Sequence, residues 1–138
     1  MQPAPHDPGH HAPPTDPPRS AADSALRATG RAKAVMMIVT LVVLFAASLF
    51  VAPLLGGVLR DNGVKPESGA AALFLSYPWL TLPLSLPSLW ACIRLVRGAD
   101  RPFLWMLAAT LLALLPLAFF LVGAVSAIAE LYNAALRI

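Results

Sequence analysis

The chain has 138 residues, 58% hydrophobic and only 12% charged, about half the roughly 25% charge usual in soluble domains. Its net charge of +3 comes from basic residues that flank apolar runs and build no free patch or basic helix, which excludes a nucleic-acid surface. The single cysteine, Cys92, excludes an internal disulfide and a cysteine-based metal cluster and reads as a small apolar filler in a helix.

The charges cluster and leave three uncharged stretches, Ala34 to Leu59, Ser68 to Ile93 and Pro102 to Ala129. Each exceeds the roughly 20 apolar residues that cross a ~30 Å hydrocarbon core as a helix. A soluble helix would carry a polar stripe at period 3.6, and these runs are apolar all round. The expected fold class is therefore an all-α membrane protein: three transmembrane helices behind a disordered N-terminal tail. The tail covers residues 1–25 and the membrane region 26–138, with spans over about 34–55, 76–96 and 103–125.

Residues Met1 to Ala25 hold seven of the 14 prolines and almost no large apolar side chain. Such a segment buries too little surface to offset its ordering entropy, hence the tail. His6, His10 and His11 could chelate a metal, but no cysteine or paired carboxylate stands at ligand spacing, so no metal is expected. Arg27, Arg31 and Lys33 then lead into the first apolar run. A basic flank before an apolar core also begins a signal peptide, and the small residues of FAAS and LFVAP offer a cleavage point. Against that, the leading segment and the apolar core are both too long. Helix 1 is expected over about Ala34 to Leu55, bent by Pro53 and ended by Gly56-Gly57.

Arg60 to Gly69 is a turn-rich loop, Asp-Asn-Gly followed by Lys-Pro. The second run carries Pro78, Pro83 and Pro87 and admits two geometries. One is a single kinked helix over Ala70 to Val96. The other, favoured here, is a short segment from Pro66 to Phe74 that ends near Ser76, which caps a new helix carrying Pro78 in its first turn. Gly98 is expected to stop that helix and Pro102 to start the third, with Arg94, Arg97 and Arg101 in the turn between. A helix from Pro102 to Arg137 would measure about 54 Å, so its end must project. There Ile128, Leu131 and Ala135 face away from Glu130 and Asn133, an arrangement that suits lying along the interface, with Glu130 a solvated carboxylate.

Six basic residues (Arg27, Arg31, Lys33, Arg94, Arg97, Arg101) flank one side of the spans and three (Arg60, Lys65, Arg137) the other. The positive-inside rule puts the N-terminus in the cytoplasm and the C-terminus outside. Tyr77 and Trp79 are assigned to the outer interface, Trp90 and Trp105 to the inner one. Helices in lipid associate where small residues let backbones approach. The candidate packing residues are Ser48, Ala52 and Gly56 on helix 1 and Gly123 with Ala127 on helix 3, together with Ala109 and Ala113.

No ionisable residue lies inside a span core, which argues against a proton-coupled transporter. Thr81, Ser85 and Ser88 could line a polar path or bond back to carbonyls freed by Pro83 and Pro87. No catalytic motif, paired carboxylate or phosphate loop is present, so neither an enzyme nor a cofactor is expected. The proline-rich tail, three apolar spans and Lys65-Pro66-Glu67-Ser68 loop resemble uncharacterised small bacterial inner-membrane proteins. The run Gly63-Val64-Lys65-Pro66 with LFLSYPW is similar to a short segment of type II secretion platform proteins, a similarity that transfers no functional residue. Eight of the ten basic residues are arginine, a bias that fits a GC-rich bacterial genome. The expected function is a non-catalytic interaction or accessory subunit, its partners the lipid bilayer and a membrane protein or second copy. A small transport or channel component using the proline-interrupted second helix is the alternative.

Overall fold

The computed structural model describes residues 1–2 and 17–137; the three histidines lie outside the described residues. Four helices follow in order, α1 (Pro17–Asp61), α2 (Gly69–Ser76), α3 (Thr81–Val96) and α4 (Pro102–Leu136), with a 3-10 turn at Pro78–Leu80 between α2 and α3. Of the described residues, 87% are helical and none is in a strand, so the all-α expectation holds. Three helical segments, within α1, from Pro78 to Val96 and along α4, are long and apolar enough to cross a membrane.

Helix α1 departs from its expected limits at both ends. It begins at Pro17, within the proline-rich stretch, and it runs past Gly56-Gly57 to Asp61. Glycines without a need for positive φ do not end a helix, and in α1 none is required until Gly63, where φ is 65°. There the chain closes in a Schellman motif: Val64 N–H donates to Leu59 O at 2.9 Å and Gly63 N–H to Arg60 O at 3.0 Å. Val64 packs against the buried Leu59, the apolar contact that accompanies such a cap. Pro53 sits inside α1 on its exposed face, so its ring displaces nothing in the bundle.

The second run is broken, as favoured, but the break has its own form. Ser68 caps α2, its Oγ accepting from Ala71 N–H, while Ser76 is the last residue of α2 and caps nothing. Tyr77 leaves helical geometry (φ −133°, ψ 56°), and Pro78 opens the 3-10 turn. This disposes of two of the three prolines. Pro78 starts an element, and Pro83 falls in the first turn of α3, where backbone N–H groups have no helical partner anyway. Only Pro87 interrupts the interior of α3.

Packing follows a seven-residue recurrence. Ala34, Leu41 and Ser48 on α1 are buried at intervals of seven, and Ala52 and Leu59 repeat the interval one turn on. On α4 the same spacing joins Ala109, Pro116 and Gly123 and reaches the half-buried Glu130. Such a repeat is the signature of left-handed helix pairs that keep one seam in register. The seam is made chiefly of Ala, Ser and Gly because lipid rewards close approach and not leucine burial. Val39, Val42, Val43, Phe50 and Leu54 on α1, and Phe103, Leu107, Leu111 and Val125 on α4, point outward, giving the apolar exterior of a multi-pass membrane protein.

Candidate functional site

Three places combine polar chemistry with defined geometry: the hydroxyls of the broken span, the end near the Arg60–Gly69 loop, and the arginine turn between α3 and α4.

In the broken span the hydroxyls of Thr81, Ser85 and Ser88 each have a partner inside the protein. Thr81 Oγ1 donates to Pro78 O at 2.8 Å and Ser85 Oγ to Thr81 O. Ser88 Oγ crosses to α4 and donates to Ala109 O at 2.9 Å, with the Met37 thioether of α1 at 3.7 Å from the same oxygen. One buried hydroxyl thus touches all three spans. None of the three bonds to the carbonyls freed by Pro83 and Pro87, which corrects that expectation. The reason is local geometry: Thr81 caps the end of the 3-10 turn and reaches back to its first carbonyl, and Ser88 faces the small Ala109, which leaves room for a direct bond. Ser85 borders a small groove between α1 and α3 lined by Leu41, Val42, Phe45, Leu82, Leu86 and Leu89; its neighbours there are wholly apolar.

The candidate packing residues are placed unequally. Ser48, Ala52 and Ala127 are buried, Ser48 with its hydroxyl on Leu44 O at 2.8 Å. Gly123 is the closest approach: a Cβ built there would lie 2.6 Å from Phe74 Cγ and nearer still to Phe74 Cβ. Phe74 is fully buried and meets Phe119 and Phe120 edge to face, with ring centroids 5.9 and 5.6 Å away. It is the knob that seats α2 against α4. Ala109 is also buried and Ala113 half-buried. Gly56 is different, since a Cβ there would meet only Leu75 Cδ2 at 3.9 Å, an ordinary contact.

Near the loop, Glu130 is not solvated as expected. Its Oε1 accepts the Ser68 backbone N–H at 2.6 Å, and its Oε2 is shielded from solvent without a hydrogen-bond partner. The carboxylate stands at the N-terminus of α2, where the helix dipole favours negative charge. Leu131 packs on the cluster of Leu59, Ala71 and Ala127, while Ile128, Tyr132 and Leu136 stay exposed along a helix that runs unbroken to Leu136. The signal for this was missed because Ser68 and Glu130 are 62 residues apart. Tyr77 and Trp79, 6.2 Å apart, mark the break, about 12 Å of α2 inward from the loop.

At the opposite end the chain reverses through Gly98, whose φ of 88° only glycine adopts readily. Trp90 of α3 and Trp105 of α4 meet edge to face at 5.1 Å. The Arg94 guanidinium lies 5.1 Å from the Trp90 ring centre and 5.9 Å from that of Trp105, a cation–π position across both. With Arg97, Asp100, Arg101, Leu104 and Ala108 they border an open cleft of about 870 Å³. Arg101 places no side-chain cap on α4, so the first N–H groups of α4 also face this end. Compared with family models, curated proteins and solved structures, the chain has no match. Its chemistry must be read from its own residues. Among the described residues no group of His, Cys, Asp and Glu is arranged to hold a metal ion.

Proposed function

We propose that the chain is a non-catalytic multi-pass protein of a bacterial inner membrane, with its N-terminus in the cytoplasm and its C-terminus outside, acting as an interaction or accessory subunit. The observation that carries the reading is the distribution of polar groups. The hydroxyls of Thr81, Ser85 and Ser88 are satisfied within the bundle, while three arginines and two tryptophans gather at one end around an open cleft. Such a molecule offers its ends to partners and its middle to lipid. Orientation is supported by the six-to-three division of flanking basic residues. Ser48, Ala52, Gly123 and Ala127 are engaged within the chain, so a protein partner or second copy would meet the outward apolar faces and not this seam.

The transport alternative draws on the break at Tyr77, since discontinuous helices build substrate sites in transporters. A substituted cysteine separates the two. In a Cys92→Ala background, Ser85→Cys should resist a membrane-impermeant thiol reagent added from either side, because its groove is apolar and faces lipid. Rapid labelling would place water beside Ser85 and favour the transport reading.

A further inference from the structure

We propose that the cleft between α3 and α4 binds the headgroup of an anionic phospholipid. This deepens the interaction reading above by naming one partner of that end of the bundle. The cleft changes character along the direction in which a lipid lies. Toward the Gly98 turn it is lined by Arg94, Arg97 and Arg101 with the single carboxylate of Asp100, and further from the turn along α3 and α4 by Trp90, Leu104, Trp105 and Ala108. A phosphate at the rim would meet guanidinium groups able to bond two of its oxygens at once. The acyl chains would then continue down the exposed Leu104 and Trp90 without leaving apolar surface. Arg94 is already held across the two indoles, which fixes one guanidinium at the depth where tryptophan rings settle beside headgroups. The tight turn at Gly98 brings the ends of α3 and α4 together, so arginines from both contribute to one site. Basic clefts between membrane helices recognise anionic headgroups in this way, and each basic residue near the surface is worth about fivefold in affinity.

The three tryptophans make the proposal measurable. Trp79→Phe leaves only Trp90 and Trp105, so the full-length variant can be reconstituted in phosphatidylcholine vesicles containing a minor fraction of brominated lipid and its fluorescence followed. Brominated phosphatidylglycerol should quench at least about tenfold more effectively than brominated phosphatidylcholine, by the same per-residue estimate. Adding Arg94→Gln, Arg97→Gln and Arg101→Gln together should bring the two lipids to parity. If that triple variant fails to reconstitute, Arg97→Gln alone should reduce the preference about fivefold; its side chain is exposed and makes no cation–π contact that folding needs. Equal quenching by both lipids, or a preference untouched by the substitutions, would overturn the proposal. Displacement of the brominated lipid by an equivalent concentration of inorganic phosphate would do the same, since it would mark a free-anion site. Both leaflets carry the probe lipid, so the result is independent of topology. Equal quenching would also leave the Ser85 accessibility result, and the interaction reading it tests, standing.

Discussion

Gly123→Leu should lower the stability of the bundle by about 3 kcal/mol, the upper part of the usual range for overpacking. The Cβ alone would collide with the Cβ and ring of Phe74. Phe74 cannot retreat, because Phe119 and Phe120 hold its ring edge to face and Ala52 and Ala124 fill the same cluster. The collision is therefore resolved only by moving α2 off α4. Gly56→Leu is the matched control. Its nearest neighbour is the end of a flexible leucine at 3.9 Å, and the change should shift stability by less than about 1 kcal/mol. Thermal unfolding of both variants in detergent checks the pair. Equal effects would mean that α2 does not pack on Gly123 as described.

Leu112→Arg should impair insertion of α4, by about 2.5–3.5 kcal/mol on scales that report a charge at the centre of a span. Leu112 lies between Ala109 and Pro116 on the seam side of α4 and is half-buried, so a guanidinium there would enter the bundle. Among the described residues no carboxylate stands at that depth: Glu130 is five turns further along the helix, engaged with Ser68 N–H. The fraction of chain recovered in the membrane after alkaline extraction should fall. Removing the hydroxyl of Ser88 should cost less, about 1 kcal/mol for one hydrogen bond. Normal insertion of Leu112→Arg would point to a counter-charge or water at mid-span and count against a sealed bundle.

The number of spans and the class of fold were legible because uncharged length is a property of single stretches of sequence. The break in the second span was legible for a similar reason: three prolines within ten residues cannot all be absorbed by one helix. Its form was not, because Pro83 costs nothing only once α3 starts at Thr81. The end of α1 was misread at Gly56-Gly57, where local composition suggested a stop. The Leu59–Val64 contact and the left-handed Gly63 place the stop seven residues later. Glu130 was hardest to read, since a carboxylate near a span end looks solvated until the fold brings a helix N-terminus to it. The broken span nevertheless keeps its register along α4. Ser68 faces Glu130 and Ser88 faces Ala109, twenty residues of one strand of the hairpin against twenty-one of the other. The 3-10 turn therefore redirects the helix without shortening the crossing, and for that reason simple span counting succeeds across it.

The proposed topology is a three-span bundle with its arginine turn in the cytoplasm and its C-terminus outside. Reporter fusions at two positions test it most directly, using an enzyme that is active only outside the cytoplasm. A fusion after Ile138 should be active and a fusion after Gly98 silent. Activity at Gly98 with silence after Ile138 would invert the orientation, and equal behaviour at both would contradict a third span between them.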